Sequence, residues 1–159
     1  MSKSPFITGI EKVVTALGYW PSFHDAEVLS FSVERAVPIN SKPNIARLTV
    51  IVREYAPEGE GTSQYKLAIV KSALIHFIMV NACDVEMSEF NHQNVINSIS
   101  VSEISSTDVA NLLVTIESIW GMGATFRCSS IEVESIEVFQ KLRYNPSFNT
   151  DNQQCRALR

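Results

Sequence analysis

The side chains able to do chemistry are few. The sequence holds three histidines, His24, His76 and His92. His24 stands directly before Asp25. A histidine beside an aspartate can build a general base, contribute to a metal site or form a structural hydrogen bond. On a strand, adjacent side chains point to opposite faces; at a turn the two can converge on one atom. His92 lies in Phe90-Asn91-His92-Gln93-Asn94, whose amides can bond loop backbone or a ligand. Amide side chains commonly rigidify turns, which favours the structural role. His76 sits in an apolar run and reads as a satisfied core histidine. A metal site built from His24, Asp25, His92 and Glu86 is not demanded by spacing, since HExxH, CxxC and DxDxDG are all missing. The expectation is no metal and no cofactor. No serine sits in GxSxG. Cys83 and Cys128 occupy strand-like apolar segments and read as structural. Gly121-Met122-Gly123 is a turn signal, too short to cradle a phosphate. Trp20 and Trp120 read first as core, with anchoring of a partner as the alternative.

The elements that must position these residues follow from periodicity. Residues 5–17 fit a helix, with Ile10, Val13, Val14 and Leu17 on one face, Pro5 in its first turn and Gly18 ending it. A turn follows at Tyr19-Trp20-Pro21-Ser22. Then the period becomes two. Leu29, Phe31 and Val33 alternate with polar residues, as do Ala46, Leu48, Val50 and Val52, with Arg47, Thr49 and Arg53 opposite. A loop over residues 37–44 separates these strands, and one over 56–61 precedes a strand starting near Tyr65. There Leu67, Ile69, Ala73, Ile75, Phe77 and Met79 share one parity; a helix over 69–80 competes. Further strands fit residues 84–90, 95–104, 109–118 and 124–138. In the last, Ile131 and Val133 give way to Ile136 and Val138, a phase switch that predicts a bulge or bend. The expected fold is α+β and mainly β: an antiparallel sheet of about six to eight strands with one N-terminal helix packed on it.

Composition bounds the function classes. The 159 residues are 45% hydrophobic and 19% charged, which excludes a disordered chain. Thirteen basic and 17 acidic side chains give a net charge of −4. That argues against a nucleic-acid binder, whose footprint is basic. No apolar run reaches the ~18 residues of a membrane span, and the N-terminus shows no apolar secretory region. Three scattered cysteines suit a reducing cytosol. Residues 1–139 carry 9 basic and 16 acidic side chains, whereas residues 140–159 carry Lys141, Arg143, Arg156 and Arg159 against Asp151. The expected organisation is a single domain over 1–139 and a loosely ordered polar tail over 140–159. Acids gather in three groups: Glu54, Glu58 and Glu60; Asp84, Glu86 and Glu89; Glu132, Glu134 and Glu137. Such groups usually form a solvated face; the sharper reading is a surface that steers a basic partner.

Two segments carry a resemblance. Tyr19-Trp20-Pro21-Ser22-Phe23-His24-Asp25-Ala26-Glu27-Val28, directly after the helix, resembles the opening signature of the immunity protein 50 family. Phe90-Asn91-His92-Gln93-Asn94-Val95-Ile96 is similar to that family's second recurrent segment, and the order of elements agrees over residues 6–138. The resemblance implies a bacterial antitoxin that binds a cognate polymorphic toxin and occludes it in the cytosol of the producing cell, without turnover. It marks Trp20, His24, Asp25, Glu27, Asn91, His92 and Gln93 as family-signature or toxin-binding residues. The partner expected is the toxin, not nucleic acid or a membrane; a homodimer stays open. Two alternatives stand beside it: a small hydrolase or metal-dependent enzyme centred on His24, Asp25 and His92, and a structural or adaptor domain without a site. The enzyme requires those side chains to converge in an open pocket.

Overall fold

The computed structural model describes residues 5–35, 37–38, 42–105 and 109–140. Its elements are β1 (Ile7–Thr8), α1 (Ile10–Leu17), β2 (Ala26–Glu34), β3 (Ile45–Glu58), β4 (Lys66–Val80), β5 (Cys83–Ser88), β6 (Val95–Glu103), β7 (Leu112–Trp120), β8 (Gly123–Cys128) and β9 (Ser130–Gln140). The nine strands form one sheet in the order β1-β9-β4-β3-β2-β6-β7-β8-β5. Every pairing is antiparallel except β1 with β9. The expected α+β, mainly β architecture is present, with more strands than the sequence suggested. Two segments account for the difference. Ile7 and Thr8 are strand instead of first helical turn, so the helix starts at Ile10 and not near Pro5. Residues 124–138 divide at Ser129 into β8 and β9, which lie far apart in the sheet order. Of the expected tail, only Gln140 belongs to the described residues; Lys141 onward lies outside them.

The helix buries Ile10, Val13 and Leu17, one apolar stripe at helical spacing. Gly18 ends it in the left-handed conformation and donates its N–H to Val14 O at 2.8 Å. The Lys71 ammonium donates to the Ala16 carbonyl at 3.3 Å, placing a cation where the helix dipole is negative. Lys12 donates to Val133 O at 2.7 Å and to Glu134 O at 3.3 Å. Here the phase switch read from sequence appears as a bulge: His76 pairs Ser135, Phe77 pairs Val133, and Glu134 is the extra residue.

Strands β2 and β6 meet through Ala26↔Ile96 and Glu27↔Val95 alone among the described residues. Beyond that seam the sheet bends, and its two halves share one core. Phe31 of β2 approaches Phe126 of β8, with centroids 5.5 Å apart. A void of about 10 Å³ is lined by Leu48, Phe77 and Met79 from one half and Ile99, Val101 and Val114 from the other. It is apolar and barely water-sized, so the layers interdigitate closely.

Candidate functional site

The seam between the halves is built from the two segments that the sequence singled out. Asp25 donates its N–H to Ile96 O at 3.0 Å, and Val28 donates to Asn94 O at 2.8 Å. The two segments therefore do meet, through backbone.

In the first segment the chain turns tightly. Phe23 and Asp25 both hold positive φ, 63° and 61°, a conformation that costs a bulky side chain roughly 1–2 kcal/mol. The Phe23 ring offsets that cost. It is 4% exposed and sits edge-on to Trp20 and Phe77, at 5.3 and 5.9 Å between centroids. Burying such a ring contributes about 2–3 kcal/mol. Trp20 also meets Phe77 edge-on, so it is a packing residue, as the default reading held. Trp120 is not: it is 60% exposed at the end of β7.

His24 and Asp25 flank this turn in solvent. His24 Nδ1 lies 3.0 Å from Asp25 Oδ2, with more than half of each side chain exposed. Together with Tyr19, Pro21, Arg53 and Tyr55 they line a cleft of about 160 Å³. His92 is exposed, and among the described residues it does not join the pair in a cluster of three such side chains. The convergence that the enzyme reading required is thus limited to one solvent-facing pair. Among the described residues no group of three or more His, Cys, Asp or Glu side chains is placed to hold a metal ion. Asp25 matters to this turn chiefly through its backbone. Asp25→Ala is expected to lower stability by about 1 kcal/mol and Asp25→Gly by less, because glycine tolerates positive φ. Equal losses in urea melts would assign the effect to the His24 contact instead.

Two polar residues of the cleft wall, Arg53 and Tyr19, are each paired. Arg53 bonds Glu27 across the strands at 2.9 Å, with both side chains largely buried. Tyr19 donates its hydroxyl to Glu54 at 2.9 Å, and Lys71 lies 3.9 Å from the same carboxylate. Burial, then the hydrogen bond to Glu54 and its negative charge, pushes the Tyr19 phenol up to about 12. The neutral phenol is the form the fold favours. Its contribution is complete below the ordinary tyrosine value of about 10 and is lost as pH rises from there through 12. In an ultraviolet titration Tyr19 should ionise after the ordinary tyrosines, and Glu54→Gln should bring it down toward them. Ionisation unchanged by Glu54→Gln would remove the carboxylate as a cause.

In the second segment the working residue is Asn94, the one buried polar side chain among the described residues at 3% exposure. Its Oδ1 accepts the N–H of Asn91 at 2.8 Å and of Met122 at 3.1 Å. Its Nδ2 donates to Asn91 O at 2.8 Å. One amide thus ties the turn before β6 to the β7–β8 turn. Asn91, His92 and Gln93 are exposed. Sequence reasoning counted Asn94 among the amides that rigidify this turn but marked only the other three as site residues; the available signal was its position next to the first apolar residue of the strand.

The acidic groups divide between the halves. Glu54, Glu58, Glu60, Glu132, Glu134 and Glu137 belong to β3, β9 and the loop after β3; Asp84, Glu86 and Glu89 belong to β5 and its end. Several are paired: Glu132 with Lys12, Glu58 with Lys66 and Asp84 with Arg127. His76 is no core histidine. It stands on the outer sheet face, its Nδ1 3.0 Å from Thr49 Oγ1. Its Nε2 is buried without a hydrogen bond, 3.4 Å from Glu137 Oε1. Cys83 and Cys128 are free thiols; burial, with the neighbouring Cys83 adding to it, pushes Cys128 up to about 11, against a backbone bond at Ser130.

Comparison with known proteins gives one match. A family model described as Immunity protein 50 matches residues 9–139. No curated protein and no solved structure matches the chain.

Proposed function

The chain belongs to the immunity protein 50 family, and from that membership we propose that it neutralises a cognate polymorphic toxin by binding and occluding it in the cytosol of the producing cell. The observation that carries this reading is the family match, which spans residues 9–139 and so takes in every element from α1 to β8 and all of β9 but its last residue. The geometry agrees with a binding role. The signature segments are spent on holding the seam between the sheet halves, through Phe23, Trp20 and backbone bonds at Asp25 and Asn94. Residues that build a seam fix the shape of a surface; the surface itself then does the recognising.

The proposed mode is stoichiometric. Inhibition should follow the molar ratio of the two chains and saturate at a fixed stoichiometry. The test is co-expression with the toxin encoded beside this chain's gene. Growth should be rescued, and the two proteins should co-elute as one complex. Persistent killing together with separate elution would reject the reading for that pair. His24→Ala supplies a second arm. An occluding binder keeps full rescue at equal expression when His24 is changed without loss of binding. Loss of rescue with binding intact would point to catalysis at the His24–Asp25 pair.

A further inference from the structure

The two halves of the sheet expose apolar side chains in different places. In an antiparallel sheet with one face in water, the outward positions are normally polar. The paired stretches of β6 and β7 obey this, while Ile119 and Trp120 at the end of β7 and Val85 and Met87 on β5 are exposed apolar residues at that half's margin. The outward residues of those stretches, paired across the strands, include Ser98, Ser100 and Ser102 with Glu117, Thr115 and Leu113.

The other half does not. On β3, β4 and β9 the outward positions include Tyr55, Leu67, Ile69 and Phe139, which are 53%, 62%, 42% and 51% exposed. They lie side by side: Tyr55 pairs Ile69, Pro57 pairs Leu67, and Phe139 pairs Ser72. Ile51 and Leu74, also paired, continue the strip half-buried. A bulge puts Leu67 and Ile69 there. Lys71 pairs Glu54 and Ile69 pairs Tyr55, so Val70 is the extra residue. Without it, Leu67 and Ile69 would share the inward parity of Ala73 and Ile75; with it, the small Ala68 turns inward and is 8% exposed. Large apolar side chains are directed to solvent while a small one fills the inside, the reverse of what stability alone favours.

We infer that this outer face of β3, β4 and β9 is where the cognate toxin docks, through a toxin surface with an apolar centre and a basic surround. The inference rests on the proposed immunity function and says which surface performs it. Size supports it. Strands of 14 and 15 residues run close to 50 Å at about 3.4 Å per residue, and the four strands β2, β3, β4 and β9 span about 19 Å at about 4.8 Å each. The face is on the order of 800 Å², which matches one side of a standard protein interface. Charge selects the occupant. Arg53 and Arg47 are neutralised by Glu27 and Glu34 across the strands. Among the described residues Glu60, Glu134 and Glu137, on and beside this face, have no lysine or arginine partner. Residues 1–139 carry 9 basic and 16 acidic side chains. A second copy would bring the same excess against this face, whereas a basic protein would be drawn to it.

The test uses the full chain and the toxin domain encoded beside its gene. Hydroxyl-radical footprinting of the unmutated complex should show Tyr55, Leu67 and Phe139 protected. In titrations, Tyr55→Ala and Ile69→Thr should each weaken binding about tenfold or more and leave the thermal midpoint near its original value. Leu113→Thr, on the opposite outer face, should leave affinity unchanged. Tight binding with protection elsewhere, or with all three variants equal to the parent, would overturn the docking face while leaving the immunity function standing. A parent chain that is already dimeric, with this face protected before toxin is added, would overturn it in favour of a second copy. Absence of any binding by the parent would remove the immunity reading for that toxin and this face with it.

Discussion

Asn94→Ala should cost about 2–4 kcal/mol of folding stability. The side chain is 3% exposed, and its removal leaves the N–H groups of Asn91 and Met122 and the carbonyl of Asn91 without their partner. The Met122 N–H is buried, and a buried group stripped of its hydrogen bond costs about 1–3 kcal/mol; the two Asn91 groups are only partly buried, and each bond lost there costs about 1 kcal/mol. The cavity left by the amide is small and polar, so a water can recover part of that, which sets the range below the plain sum. A domain of this size has about 5–15 kcal/mol in hand, so the loss is a sizeable fraction of the whole. Urea unfolding of the two proteins gives the difference directly. A loss below about 1 kcal/mol would mean that the turn before β6 is held by something other than this amide. His92→Ala, three residues from the seam and exposed, should by contrast stay within about 0.5 kcal/mol.

Gly121→Ala is the second large effect, and it acts on the same joint from the other side. Gly121 has φ +79°, and a methyl there would stand 2.5 Å from Gln93 O and 2.7 Å from Asn94 Oδ1. The conformation alone costs an alanine roughly 1–2 kcal/mol. The contact adds to this, because a backbone carbonyl and a locked amide must both move. A total of about 3 kcal/mol follows. The two substitutions should also be coupled. Once Asn94 is shortened, one of the clashing atoms is gone, so the double variant should lose less than the sum of the two single losses. Strict additivity would show that the turn at Gly121 and the amide of Asn94 stabilise the protein independently.

The sequence made some of this structure readable and hid the rest for physical reasons. Strict alternation from Ala46 to Val52 identified the first part of β3, because a half-buried strand repeats every two residues; from Leu29 to Val33 it located β2 but not its buried residues, since Leu29 is the extra residue of a bulge, Leu29 and Val33 are exposed, and Ala26 and Val28 are the ones buried. The phase switch after Val133 located the β9 bulge. Ile7 and Thr8 were unreadable, since a two-residue strand has no period to detect. The break between β8 and β9 was hidden too. Cys128-Ser129-Ser130 contains no glycine or proline, and the turn is held from outside, by Ser129 N–H on Val80 O at 2.8 Å and Asn81 on Ser129 Oγ at 2.9 Å. Leu67 and Ile69 were assigned the same parity as Ala73, and only the pairing with β3 exposes the extra residue at Val70. At the candidate site the right segments stood out, yet with the roles within them exchanged. His24, Asp25 and His92 drew notice because their side chains can do chemistry, and all three face water. Asn94 bears the structural duty, and only its place beside the first apolar residue of β6 sets it apart from Asn91. The salt bridge between Glu27 and Arg53 depends on register across strands and has no trace along the chain.

The place of β5 at the end of the sheet order has one more consequence. A terminal strand offers unpaired amides and carbonyls to any passing chain and is where stacking into fibres begins. Glu86 lies on that strand and Glu89 just past it, and both are exposed. Another molecule arriving strand to strand at this border would bring the same negative charges with it. At this border the like charges of Glu86 and Glu89 oppose such stacking.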